Sequence, residues 1–262
     1  MRIWLILALL IGILILICRP IGYHERFTTK PRTINVAVLY AAYNLDEDDA
    51  SFILKYAKDI PFYVVINGNS SEIVNQLRDN RNIHILEREN AGYDTGAWKA
   101  GMREFDLSSY DLILFMNNSC IFGGDLLRIC EHASDYDLYS YGFSYELYRQ
   151  PFTDPHLHAY MFFVNKRLYN SQPFNDFWST ISEDNGDHDS SVHNNEYRLK
   201  SYFEDLNFKV GSYRFFDVDD TYNYRLNDRY SQEIIKKRET RAYPEKLKAF
   251  NEGLLRNHDN GY

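Results

Sequence analysis

The stretch 87-ERENAGYDTGAWKAGMREFDLSSYDLILFMNNS-119 decides the fold. Its first half sets Asn90, Gly92, Asp94 and Gly96 before a run of good helix formers. Its second half drives an apolar strand straight into Asn117, Asn118 and Ser119. One glycine is enough for a turn. A charged Asp94 held between two glycines therefore marks the rim of a binding cleft. The pattern predicts a helix over Thr95 to Phe105 and a buried strand over Asp111 to Met116.

Upstream the same unit recurs. Thr33 to Tyr43 (TINVAVLYAAY) is a β-branched apolar run that reads as a buried parallel strand. Asp46 to Asp59 follows as a helix, with an acidic first turn that suits the macrodipole, Phe52, Ile53, Tyr56 and Ala57 on one face, and Pro61 as its stop. Phe62 to Ile66 is a second strand. Asn67 to Ser71 is a turn whose Ser70 or Ser71 caps a helix ending near Arg78, and Asn82 to Leu86 is a third strand. Strand and helix alternate through nearly four units. The expected fold class is α/β, with a Rossmann-type, mostly parallel sheet and helices on both faces. Such sheets take ligands outside the carboxyl ends of their strands. Tyr43-Asn44, Asn67 to Ser71, Arg88 to Asp94 and Asn117 to Ser119 then converge on one cleft.

The second half is less regular. Leu138 to Phe143 reads as a strand, Tyr160 to Val164 as a strand or a buried helix start, and Pro173 to Ile181 as a helix carrying Phe174, Phe177 and Trp178. A polar loop, 182-SEDNGDHDSSVHNN-195, precedes a helix over Glu196 to Leu206. From Ser231 onward the pattern predicts a charged helical tail, broken at Pro244.

Composition narrows the partners. The chain has 262 residues, 45% apolar and 25% charged, enough for one large α/β domain. A net charge of -8 without a basic stripe argues against nucleic acid. Ile3 to Cys18 is an uncharged run of sixteen residues. It falls slightly short of the roughly 20 that a spanning helix uses, a deficit that snorkelling flanks can absorb. No small-x-small site follows it, which favours a single-pass membrane anchor over a cleaved leader. Arg19, Arg26, Lys30 and Arg32 face Arg2 across this run and lean toward a cytosolic body; single-anchor enzymes of the opposite orientation keep the side open. The expected organisation is an anchor at 1–18, a linker at 19–33, a catalytic-type domain at 34–230 and a tail at 231–262. Cys120 and Cys130 show no metal-ligand spacing and read as buried thiols.

The motifs also carry a resemblance. Arg88, Asn90, Gly92, Asp94, Gly96 and Ala97, then Tyr110-Asp111, then Asn117-Asn118-Ser119 and Gly123, resemble the rhamnan synthesis protein F family of GT-A-like glycosyltransferases. The segment 156-HLHAYMFFVNKRLYNSQPFNDFW-178 is similar to a later block of that family. The resemblance spans roughly residues 34 to 218. It implies transfer of a sugar, a deoxyhexose such as rhamnose, from a nucleotide-sugar donor to a glycan acceptor, with inversion. It also implies donor-site roles for Asn67, Arg88, Asn90, Gly92, Asp94, Gly96, Asn117 and Asn118.

Two departures stand out. GT-A enzymes commonly end the fourth strand in an Asp-x-Asp that holds a divalent metal, Mn or Mg. Here neutral Asn117 and Asn118 stand there, and hard cations prefer carboxylates; Asn118 is the weak candidate ligand. Where related families carry an Asp for the nucleobase, this chain has Asn67, whose amide can still read a base edge.

Glycosyl transfer needs a stabilised leaving diphosphate and a general base. Arg88 suits the diphosphate, since a guanidinium pairs phosphate oxygens. Asp94 suits ribose or sugar hydroxyls. Glu196 is the candidate catalytic base, because in the wider superfamily an acidic residue opens a helix that ends in an apolar-polar-Gly turn, the shape of 196-EYRLKSYFEDLNFKVG-211. Asp187, His188, Asp189 and His193 stand in reserve in the preceding loop, and His156 is a candidate near the acceptor. The competing class is a non-catalytic partner subunit that binds a nucleotide sugar or a glycan. A nucleotidyltransferase, which normally requires acidic metal ligands, is more remote.

Overall fold

The alternation of the first strand, VAVLYAAY, sets the architecture. In β1 (Val36–Tyr43), Val36, Val38, Tyr40 and Ala42 face one apolar layer, and Ala37, Leu39 and Ala41 face another. A strand buried on both faces must be covered twice, so helices lie on both sides of the sheet. The computed structural model of the protein describes residues 33–68, 72–144, 156–182, 197–216 and 234–236. Contacts divide the chain into Met1–Thr33 and Ile34–Tyr262, and the sheet with its helices belongs to the second unit.

After β1 come α1 (Glu47–Tyr56), β2 (Phe62–Asn67), α2 (Glu72–Arg78), β3 (Ile83–Arg88), α3 (Tyr93–Glu104) and β4 (Leu112–Asn117). All the pairings among β1 to β4 are parallel, in the order β3-β2-β1-β4. The chain winds outward from β1 through β2 to β3, then returns to place β4 on the other side of β1. That reversal makes the β1/β4 fork the topological switch point, where open α/β sheets bind ligands.

Beyond β4 the sheet turns antiparallel. Short β5 (Cys120–Phe122) and α4 (Leu126–Ala133) lead to β6 (Leu138–Ser144), β7 (His156–Leu157) and β8 (Met161–Asn165). β8 runs against β4, both β7 and β8 run against β6, and β9 (Val210–Phe216) pairs with β6 in parallel. The sheet is therefore mixed and mostly parallel in its first half. α1, α2 and α4 contribute buried residues to one layer. α3, α6 (Gln172–Ser179) and α7 (Arg198–Asp205) contribute to the other, while α5 (Lys166–Tyr169) is a single turn capped by Asn165. The second layer is aromatic: Phe115 stacks on Phe162 at 4.8 Å, and Trp98 meets Phe162 edge-on at 5.4 Å.

The far end of the sheet is tied by Asp137, only 4% exposed. Its carboxylate accepts from Asn165 Nδ2 at 3.0 Å, Lys209 N at 2.9 Å and Arg167 Nη1 at 3.3 Å. Asn165 pairs with Leu112, the first residue of β4, so this knot lies at the pole opposite Asn117.

Two expectations are corrected. The tail after Ser231 is not helical throughout: Ile234–Lys236 forms β10, antiparallel to β5, as two adjacent β-branched isoleucines favour. Val210 and Gly211 belong to β9 rather than to a turn. A Cβ at Gly211 would lie 2.3 Å from the Tyr136 ring, so close strand–ring packing explains the glycine. The helix before it turns instead at Asn207, which carries φ 62°. Of the two readings open for Tyr160 to Val164, the strand is the one found, over Met161–Asn165. The expected anchor at 1–18 lies outside the described residues, among which no helix is long and apolar enough to cross a membrane.

Candidate functional site

At the carboxyl ends of β1 to β4 the backbone leaves ordinary geometry. Asn44 (φ 54°), Gly68 (φ 111°), Gly92 (φ 71°) and Tyr93 (φ 54°) all occupy the left-handed region there. A non-glycine residue is uncommon in that region, and such positions gather at functional sites. The two glycines around Asp94 have separate jobs. Gly92 starts α3 as its left-handed N-cap. Gly96 lets the loop close, because a Cβ there would sit 2.3 Å from the Ala91 carbonyl oxygen.

Hydrogen bonds join the four strand ends. Asn117 Nδ2 donates to Asp94 Oδ2 at 2.6 Å, which links β4 to the first turn of α3. Asn117 Oδ1 accepts from Ser119 N at 3.1 Å and from Ser119 Oγ at 2.6 Å. Asn67 Nδ2 donates to the Tyr93 carbonyl at 3.1 Å. Asn67 is 2% exposed, and its Oδ1 is buried with no hydrogen-bond partner among the described residues. An acceptor left so costs about 1–3 kcal/mol. Tyr43, by contrast, ends β1 with its side chain 55% exposed, beside Gly68.

Arg88, expected at a diphosphate, turns Nη1 to the Gly96 carbonyl at 2.5 Å and Nη2 to the Ala91 carbonyl at 3.2 Å. These bonds make it the clamp of the 88–96 loop, whose exposed members are Glu89 and Asn90. Trp98 is buried, and its Nε1 donates to the Met116 carbonyl at 3.2 Å, a second latch between α3 and β4. Lys99 Nζ donates to the Ile181 carbonyl at 2.7 Å, at the exit of α6.

His156 lies in a neighbouring cluster. Its ring is 4.4 Å from Tyr197, just before α7, and 5.8 Å from His158. His158 meets Tyr160 at 5.2 Å, and the Tyr160 carbonyl accepts from Asn117 N at 3.1 Å, so this cluster adjoins the end of β4. Glu196, Asp187, His188, Asp189 and His193 lie outside the described residues.

Sequence reading missed one group altogether. Asp49 is 1% exposed and accepts from the Tyr40 hydroxyl at 2.7 Å, from Asp46 N at 3.0 Å and from Asn118 Nδ2 at 3.1 Å. Burial first, and the Asp49 carboxylate second, raise the Tyr40 hydroxyl well above its ordinary range, so it remains a protonated donor. Asn118 Nδ2 also donates to the Tyr43 carbonyl at 3.1 Å, and its Oδ1 accepts from Tyr43 N at 3.1 Å. The only signal in the sequence was the Asp46-x-x-Asp49 spacing of a capping box.

The two amides that end β4 do not fit a divalent cation. Mn²⁺ and Mg²⁺ favour carboxylate oxygens, whereas Asn117 and Asn118 are neutral and turn their amide oxygens to Ser119 and Tyr43. Among the described residues no three His, Cys, Asp or Glu side chains group as cation ligands.

The fold and site define the class of open α/β sheets that take a ligand in the crevice at their switch point, here rimmed by polar and left-handed residues. The model of the family described as rhamnan synthesis protein F matches residues 62–239, more than half of the chain. The chain belongs to that family, whose members are glycosyltransferase-like. No curated protein matches it by sequence. Among solved structures, a candidate nucleotide-diphospho-sugar transferase from Desulfovibrio desulfuricans G20 is similar at 10% identity and TM-score 0.43, over 83% of this chain and 98% of that one. S. aureus TarS is similar at 13% identity and TM-score 0.46, over 68% and 58% of the two chains. The glycosyltransferase GlyE of Streptococcus pneumoniae TIGR4 is similar at 14% identity and TM-score 0.42, over 82% and 50%. The chain thus spans less than two thirds of TarS and of GlyE.

Proposed function

We propose that the protein is a glycosyltransferase that moves a sugar, rhamnose or another deoxyhexose, from a nucleoside-diphosphate donor to a glycan acceptor. The observation that carries this reading is the joining of Asp94, Asn117 and Asn67 at the β1/β4 switch point. Family membership supports it. In this reading the donor lies across the strand ends. Asp94, only partly buried, takes ribose or sugar hydroxyls. Asn67 is buried with its Nδ2 held by the Tyr93 carbonyl, so its orphaned Oδ1 is the atom left to accept from the base edge. Tyr43, exposed at the end of β1, offers a ring to the base.

In the transfer step an acceptor hydroxyl attacks the anomeric carbon from the face opposite the diphosphate. The bond to the diphosphate oxygen breaks, the nucleoside diphosphate leaves with that electron pair, and the hydroxyl proton passes to Glu196. His156 stands on the acceptor side. The apolar run at 1–18 tethers the enzyme to a membrane as a single-pass protein. The test is transfer of labelled sugar from a panel of nucleotide sugars to a glycan acceptor by the full-length chain, with Glu196→Gln as control. Transfer that falls by at least about 100-fold in the control supports the reading. No transfer or donor hydrolysis from any donor sinks it.

A second reading is favoured by one observation, the braced, neutral asparagines where metal-dependent relatives carry aspartates. There the same crevice binds a nucleotide sugar without turnover, as the partner subunit of an active transferase. Donor binding without transfer or hydrolysis selects it.

A further inference from the structure

Asn118 occupies the place where a metal ligand is expected, and its amide is engaged by the Tyr43 backbone and by Asp49. Its amide closes a two-way bridge to the Tyr43 backbone, donating to the carbonyl and accepting from the N–H, both at 3.1 Å. Asn118 N meanwhile donates to the Ala41 carbonyl at 3.0 Å. Together these bonds prolong the β1/β4 pairing past Ala41↔Asn117, the last ladder pair, to the mouth of the switch point. The same amide donates to Asp49, a carboxylate fixed by Tyr40 and by the start of α1. An amide suits this position and a carboxylate does not, because two acceptors, the Tyr43 carbonyl and Asp49, require a donor.

We propose that Asn118 and Asp49 are positioning residues for the donor nucleotide. Asp49, anchored by Tyr40, aims the Asn118 amide, and that amide fixes the fork formed by Tyr43 and the end of β4. Asn118 is a brace and not a cation ligand, and the donor's diphosphate is bound without a metal held at this strand end. The proposal rests on the donor-site reading above.

The two roles give opposite results for one substitution. Asn118→Asp restores the carboxylate that a cation would prefer. In the brace it removes the donor to the Tyr43 carbonyl and sets a second negative charge against buried Asp49. The full-length chain is titrated calorimetrically with ADP, CDP, GDP, UDP and dTDP, each with and without Mn²⁺. The tightest binder is then titrated into Asn118→Asp, Asp49→Asn and the double variant, with thermal midpoints recorded alongside. The brace predicts wild-type affinity unchanged by Mn²⁺, and at least about a tenfold loss in Asn118→Asp with or without Mn²⁺. It predicts partial recovery in the double variant, where the amide introduced by Asp49→Asn donates to the carboxylate introduced by Asn118→Asp. Should Asn118→Asp not fold, Asp49→Asn alone weakens affinity about threefold.

An Asn118→Asp variant that binds as well as wild type, or more tightly when Mn²⁺ is present, overturns the proposal and leaves the donor site standing. A fall in thermal midpoint with unchanged affinity overturns it equally, since the pair is then structural only. Wild-type protein that binds none of the five diphosphates overturns the donor-site reading and the positioning role together.

Discussion

Asp–Asn pairs stand at both poles of the sheet, one at the first and two at the other. At the pole where β4 begins, Asp137 and Asn165 tie β6, β8 and β9 together. At the pole where β4 ends, Asp49 with Asn118 and Asp94 with Asn117 join β1, α1, α3 and β4. The side-chain chemistry is the same. The surroundings differ: Asp137 is closed in by the starts of β6 and β9 and the end of β8, while the other pole carries four left-handed residues, an exposed Tyr43 and the orphaned Asn67 oxygen. The same pair therefore locks one end of the sheet and shapes an opening at the other. Polar residues in a strand are informative about function only once the pole they occupy is known.

The comparison breaks most visibly at Asp137. Asp137→Ala leaves Asn165 Nδ2 and Lys209 N without their acceptor, and we expect a loss of about 3 kcal/mol in chemical denaturation with unchanged nucleotide affinity in the folded fraction. An affinity loss there would erase the distinction between the poles. Gly96→Ala comes next. Its methyl group would meet the Ala91 carbonyl at 2.3 Å, so the 88–96 loop must open. We expect about 1–2 kcal/mol of destabilisation together with about a tenfold weaker titration by the nucleoside diphosphate. Trp98→Phe keeps the ring in its layer and removes the donor to the Met116 carbonyl. About 1 kcal/mol should be lost in thermal unfolding, with a smaller change in affinity.

The smallest effect is that of pH. Burial raises the Cys130 thiol from 9.0 to about 12 and raises the Tyr40 hydroxyl as well, so the folded state holds protons that the unfolded state releases first. Stability from these groups is fully present at neutral pH and declines as pH climbs from about 9 toward 12. Denaturation midpoints measured across that range should fall. A rise would contradict the assignment.

The first half of the fold was legible because each β-branched run and each amphipathic helix carried its own period. β1 to β4 were bounded to within a few residues, and the strand-end cleft followed from the topology. The bracing was not legible. Asp49 reads as an ordinary first-turn acid, and only the return of β4 to the side of β1 places Asn118 above it. Arg88 reads as a phosphate ligand because its backbone targets, Ala91 and Gly96, leave no trace in side-chain pattern. β5 and β7 were too short to show a period, and Ile234–Lys236 sat inside a charged stretch that favours helix.

The central claim is that the carboxyl-end pole is the ligand pole. Calorimetric titration of the tightest-binding nucleoside diphosphate into full-length wild type, Asp94→Ala and Asp137→Asn tests it most directly. The account predicts saturable binding to wild type, at least about a tenfold loss in Asp94→Ala, and wild-type affinity in Asp137→Asn. Binding that survives Asp94→Ala unchanged but falls with Asp137→Asn would contradict it.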